Sequence, residues 1–293
     1  MNLELDPVQR RLVETIAKGD AAAPPQASGW DVFDAIGLSA LLAPEPGAAP
    51  LLGTLEWCLV LEELGAGLRS HTLVRSVHAF LDVYVARARD GAAAEAFRTW
   101  AGAQGAAPRA DDPLLLREAD DVWRFVDPCP PAFAALPDGI TLDASTAQAV
   151  HDRGLLLVAA YACGVARRCL ASAQDRAGSR VVAGRRLLEH QGTGHRIARG
   201  AVDLTLARAG LWRAAQAEDE SERAGHRAPA AAAACVSAAL DCAHTVVQVF
   251  GAAGTSAPQV VAMFRTACAL PAVSGSPRAL WAEAGARRMR SLV

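Results

Sequence analysis

The stretch RRLLEHQGTGHRIARG, residues 185–200, sets two histidines, a glutamine and two glycines among alanine- and leucine-rich segments. Histidine titrates near neutral pH. A five-residue gap holding two glycines makes His190 and His195 a poor helical metal pair, however, and no metal site is expected. Asp152 reads as a charge and cap near a helix N-terminus, and His151 as an ordinary, partly exposed histidine. Lys18 is the one lysine among 29 basic residues, which removes lysine-based Schiff-base or phosphate-gripping chemistry. Seven cysteines (Cys58, Cys129, Cys163, Cys169, Cys235, Cys242 and Cys268) include no CxxC pair. They argue against a disulfide framework or a zinc site and read as small buried apolar residues.

The chain must be large enough to hold such residues in a core, and 293 residues allow one large domain or two ordinary ones. Hydrophobic residues make up 52%, charged residues 20%, and the formal net charge is −2. No basic field exists to hold nucleic acid or an anionic membrane. No run reaches the roughly 18 uncharged apolar residues of a membrane span, and MNLELDPVQRRLVETIAKGD lacks the layout of a signal peptide. A cytoplasmic protein is expected.

Helical periodicity dominates the first hundred residues: 8–19 places Val8, Leu12 and Ile16 on one face, and 30–42, 56–66 and 73–88 continue the pattern. AAAPPQASG and PEPGAAPLLG are the breaks. Between 101 and 149 the grammar changes to proline and aspartate, with LLLREAD, VWRFVD and GITLD as short strands. From about His151 helices resume, with a stripe of Leu155, Val158, Ala159, Ala162, Val165, Ala166, Cys169 and Leu170, and others through 197–217 and 228–250. A short helix follows Pro277. Three long amphipathic helices and a short one suit a four-helix bundle. The abundant alanine either permits close helix packing or reflects genome composition.

Two blocks resemble a known family. RVVAGRRLLEHQ (180–191) resembles the R-x-x-F-G…L…Q motif of the acyl-CoA dehydrogenases, and HTVVQVFGAAGTSAPQVVAMFRTA (244–267) resembles their A-V-Q-x-x-G-G-x-G…R-D-A block. WDVFDAIGLSALLAPE and LVLEELGAGL are similar to the family's N-terminal helical segments. The resemblance implies a mainly α chain with an N-terminal helical domain (1–100), a reduced β segment (101–149) and a C-terminal four-helix bundle (150–293). It also implies FAD as cofactor. On that reading Arg180 matches a residue whose planar donors suit the diphosphate across a subunit interface. Gln191 and Gln248 stand near the cofactor, and Gly251 and Gly254 let the backbone approach it.

The family removes a proton alpha to a thioester while a hydride leaves the beta carbon for the flavin, which needs a carboxylate base. Aligning the usual Y-E-G-T glutamate gives Ser274, and the alternative glutamate on the first bundle helix gives Gly154, so no catalytic base is expected in this chain. A serine hydroxyl is no base at neutral pH without a partner to take its proton. The flavin-covering T-E-P-x-A-G-S-D-like motif is absent from 101–149, and Ala183 stands where the first motif has an aromatic.

The resemblance therefore implies an acyl-CoA dehydrogenase-like subunit that completes a FAD site with a second such subunit, or with itself as dimer or tetramer. The substrate would be acyl-CoA or a carrier-bound acyl chain, and the FAD is either shared across an interface or lost. Two alternatives stand beside it: a non-flavin structural or partner-binding protein, and an enzyme of non-redox chemistry on an acyl thioester.

Overall fold

The computed structural model describes residues 4–24, 52–69, 144–220 and 225–292, with residue 32, residues 35–38 and the backbone of three strands between 114 and 141. The helix expected over 73–88, most of that over 30–42, and the Cys129 side chain lie outside the described residues.

Helix α1 (Pro7–Ala22) starts where its sequence says it should. The Asp6 carboxylate accepts from the backbone N–H groups of Val8 (2.7 Å) and Gln9 (2.8 Å), the Gln9 side chain accepts from Asp6 N–H, and Pro7 occupies the first turn. Ile16 is fully buried and Leu12 packs against the core, but Val8 is 73% exposed and does not join the expected face. Helix α2 (Thr54–Ala66) takes its cap from far along the chain. The Asp219 carboxylate accepts from Thr54 N–H (2.6 Å) and Leu55 N–H (3.0 Å). Asp219→Ala is expected to lower stability by about 1 kcal/mol, the typical value of a helix cap, read as a fall in the thermal midpoint.

Strands β1 (Leu114–Arg117), β2 (Val122–Val126) and β3 (Ile140–Thr141) form one antiparallel sheet in the order β1-β2-β3, with Leu115 opposite Phe125 and Trp123 opposite Ile140. Each coincides with one of the three apolar runs read as strands.

The bundle comprises α3 (Ala144–Ser179), α4 (Gln191–Asp219), α5 (Arg227–Phe250) and α6 (Pro258–Ser274), with α7 (Pro277–Arg290) packed on α5. The fourth bundle helix is thus α6, which touches both α3 and α5, and not the short helix after Pro277. Helices α3 and α5 run parallel: Cys163 Sγ lies 3.4 Å from Cys235 Sγ, and farther along both helices Arg176 meets Phe250. Helix α4 runs antiparallel to α5, with Cys235 Sγ on Ala207 O (3.6 Å) and Cys242 Sγ beside Gly200.

Alanine fills the seams of this bundle: Ala159, Ala162, Ala166 and Ala173 on α3, and Ala232, Ala239 and Ala243 on α5, are all fully buried. The expected stripe from Leu155 to Leu170 is buried; Gly154 through Ala166 are buried without interruption, and beyond Arg167 the buried face narrows to Cys169, Leu170, Ala173 and Ala177. A helix that is apolar all round belongs inside a core. By length and composition alone α3 and α5 could each cross a membrane, but 83% of the apolar window in α3 is buried within the fold.

The second cover of α3 is α2, and the two backbones touch. A Cβ on Gly164 would stand 2.0 Å from Glu62 O, and one on Gly65 would stand 2.3 Å from Tyr161 O. Just beyond the crossing the Tyr161 hydroxyl donates to Arg69 O, while the Arg69 guanidinium binds the Asp20 carboxylate at 2.6 Å and so ties α1 to the same point.

Candidate functional site

The residues singled out in 180–191 do not continue a helix. After α3, Val181–Val182 (β4) pairs antiparallel with Arg185–Arg186 (β5) across a two-residue turn, Ala183-Gly184, with φ of +50° and +76°. Two positive φ values are what a type I′ hairpin turn requires. Ala183 takes a conformation that costs an L-residue about 1 kcal/mol, and glycine follows it. Leu187 N–H donates to Arg180 O (2.8 Å) to close the hairpin base, and His190 Nε2 lies 3.1 Å from Val182 O. Helix α4 then begins at Gln191. His190 is thereby a hairpin tether, and His195 is exposed.

This hairpin stands at the end of the bundle where α5 also stops. The Arg176 guanidinium lies 5.4 Å over the Phe250 ring, with its Nε buried and unpartnered among the described residues. Gly251 closes α5 at φ +64°, its N–H on Gln248 O and Val247 O, and nothing lies within 4 Å of where its Cβ would be. Gly254 differs: its missing Cβ would stand 2.5 Å from Val247 O, so it serves the packing of a short 3-10 turn, Gly251–Thr255, against α5. Arg180, Gln191, Gln248 and Gly251 are exposed at this one end and Gly254 is buried beneath them. Arg185 pairs with Glu189 at 3.6 Å, whereas the Arg180 and Arg186 guanidinium groups make no ion pair among the described residues. Free guanidinium forks beside open backbone fit a diphosphate-bearing group.

The two positions matched to a catalytic base lie elsewhere. Gly154 is buried near the start of α3, and 25 residues separate it from Ser179, about 38 Å of helix at 1.5 Å per residue. Ser274 ends α6, where its hydroxyl is 3.2 Å from Leu270 O and 3.1 Å from Gly275 O.

Asp152 is no helix cap. It sits well inside α3, buried, where Arg287 reaches its Oδ1 at 2.5 Å and Gln148 donates at 2.9 Å. Burial raises its pKa and the Arg287 hydrogen bond and charge lower it, with a net rise. Arg287 also donates to Gly225 O (2.9 Å) and to Glu283, which lies 3.3 Å from His151.

Residues 145–286 match the family model described as acyl-CoA dehydrogenase, C-terminal domain. This C-terminal domain belongs to the acyl-CoA dehydrogenase family. No curated protein matches the chain in sequence. Among solved structures it is similar to a chain of the ChsE4-ChsE5 complex from Mycobacterium tuberculosis, with 19% identity, a TM-score of 0.76 and 99% of each chain covered. It is also similar to the butyryl-CoA dehydrogenase of Megasphaera elsdenii, at 16% identity and a TM-score of 0.75, with 99% of this chain and 100% of that one covered. PigA with FAD and proline, at 14% identity, gives a TM-score of 0.73 with 99% of each chain covered. At such identities the likeness is one of fold, which is mainly helical here as the sequence implied.

A polar cluster that sequence reasoning did not single out lies in this acyl-CoA dehydrogenase scaffold at the α2–α3 crossing. Arg208 Nε reaches Glu62 at 2.9 Å and stacks over Trp212, and Arg167 binds Glu63 through both nitrogens at 2.8 and 2.7 Å. Burial raises the Glu62 pKa against the lowering by Arg208 and Arg167. Two adjacent acids in the apolar helix TLEWCLVLEELGA were the available signal. The cysteines Cys58, Cys163, Cys169, Cys235 and Cys242 are buried as expected, but Cys268 is exposed on α6. Burial pushes the Cys169 and Cys242 thiols up to about 12. A raised thiol is a poor nucleophile at neutral pH.

Proposed function

We propose that this chain is an acyl-CoA dehydrogenase-type subunit that lends Arg180, Gln191, Gln248 and Gly251 to a FAD site completed by a second subunit, and that it has no catalytic base of its own. The observation that carries this reading is that Gly154, a base position, stands about 38 Å of helix from the hairpin end of α3. One chain cannot bring its diphosphate-gripping end and that base position to the same small molecule. FAD, when bound, would accept the hydride leaving the beta carbon of an acyl thioester. Arg180 would pair with the diphosphate, the two glutamines would donate hydrogen bonds, and Gly251 would leave room for close approach.

At the other end neither position matched to a base offers an acceptor for the proton alpha to the thioester. Gly154 has no side chain, the Ser274 hydroxyl faces two carbonyl oxygens, and Asp152 is held by Arg287 and Gln148. Similarity to a chain of the ChsE4-ChsE5 complex and to PigA with FAD supports a heteromeric flavoprotein setting, which we place in the cytoplasm.

The test is to purify the chain alone and with a co-expressed acyl-CoA dehydrogenase-like partner and to measure released flavin. Flavin is expected in the complex, and Arg180→Ala is expected to weaken its retention about tenfold, as for the loss of one charge-assisted hydrogen bond. Preparations free of flavin in both cases would instead favour the non-flavin scaffold. Equal flavin retention by the Arg180→Ala complex would remove that residue from the site.

A further inference from the structure

Helix α7 is held to the bundle along one side, where Leu280, Ala284 and the Arg287 side chain turn inward. At 100° per residue, Arg278, Trp281, Gly285, Arg288, Met289 and Leu292 just past its end fall within about 100° of arc on another side. Trp281, Met289 and Leu292 are 52%, 64% and 65% exposed. Isolated exposed apolar side chains are ordinary, but these three share one stripe.

The stripe is also shaped. No atom lies within 4 Å of a Cβ built on Gly285, so a notch opens between Trp281, one turn before it, and Met289, one turn after. Arg278 and Arg288 make no ion pair among the described residues, and the one acid of α7, Glu283, is taken up by Arg287 and His151. Arg288 and Arg227 also help lower the pKa of His226, after its burial, which marks the neighbourhood as basic. Arg288, Met289 and Leu292 lie past residue 286, where the family domain ends.

We propose that this stripe docks an acidic amphipathic helix of a second protein, with an apolar side chain of that helix in the notch over Gly285 and its carboxylates on Arg278 and Arg288. Tryptophan, methionine and arginine together, with lysine and acids missing, are the side chains enriched at the centres of protein interfaces. A notch flanked by large side chains one turn away on either side is a hole for a knob on a facing helix; a lipid surface has no such knob. A second copy of this chain is disfavoured because two facing stripes would bring arginines of both copies together. The proposal does not rest on the flavin reading, since α7 lies at the Asp152 end of the bundle, opposite the β4–β5 hairpin.

The test follows the fluorescence anisotropy of a labelled synthetic helix, with leucines on one face flanked by glutamates, added to the full chain at low and high salt. Saturable binding that weakens with salt is expected. Trp281→Ala and Gly285→Leu should each weaken it about tenfold or more while leaving the thermal midpoint unlowered, and the double variant Arg278→Glu, Arg288→Glu should come to prefer a lysine-flanked version of the peptide. Failure of the glutamate peptide to bind, equal binding of both peptides by the wild type, or binding that survives Gly285→Leu each overturns the proposal. So does transfer of the protein to phosphatidylserine vesicles, or self-association abolished by Trp281→Ala.

Discussion

Gly164→Ala is expected to lower stability by about 3 kcal/mol, the upper end of ordinary overpacking. The added methyl would stand 2.0 Å from Glu62 O and 2.7 Å from Ala66 N, and both are backbone atoms that cannot rotate away. The only relief is to part α2 from α3, which also strains the Glu62–Arg208 and Glu63–Arg167 pairs at the same crossing. Gly210→Ala on α4 is the control. Nothing lies within 4 Å of its Cβ, so alanine there should raise stability by about 0.5–1 kcal/mol through helix propensity alone. Chemical denaturation of the two variants against the wild type measures both. Equal effects would mean that the crossing is looser than the backbone contact implies.

Arg287→Ala should cost about 3–5 kcal/mol at neutral pH, the range for stripping the partner from a buried charge. The Arg287 and Asp152 side chains are 9% and 3% exposed, so solvent screening compensates little. The loss should depend on pH, with a sign that follows from the direction of the shift. Burial already holds the Asp152 pKa above its ordinary value, and removing Arg287 takes away the largest influences that lower it. The folded variant then binds a proton more tightly than its unfolded chain. The penalty is fully present above the raised folded pKa and fades as pH falls toward the ordinary carboxylate range. Adding Asp152→Asn should restore most of the stability at neutral pH, because an amide keeps the shape without the charge. A loss that stayed constant across pH would point to the bonds from Arg287 to Gly225 O and Glu283 instead.

These two sites differ in how far sequence could reveal them. The helical periods through 197–217 and 228–250, the strands in 101–149 and the helix after Pro277 follow from local patterning, and all form. The family motifs carried Arg180, Gln191, Gln248, Gly251 and Gly254 to one bundle end, although no motif stated that the first four would be exposed while Gly254 would be filled by its own helix. Arg287 was invisible because it is one of three arginines in the last turn of α7, and only the approach of α3 distinguishes it from Arg288 and Arg290. Asp219 likewise caps a helix that begins 165 residues earlier than itself.

The sequence by itself determined the mainly helical class, the family of the C-terminal domain and the positions that match its motifs, because periodicity, turn chemistry and motif spacing are local properties of the chain. Only the tertiary structure decided that α6 closes the bundle, that 181–190 forms a hairpin, that Asp152 is clamped and that Gly154 stands far along α3 from Arg180. Those facts depend on which helices lie side by side and in which direction they run, and that is fixed by burial of apolar surface and by backbone contacts between residues distant in sequence.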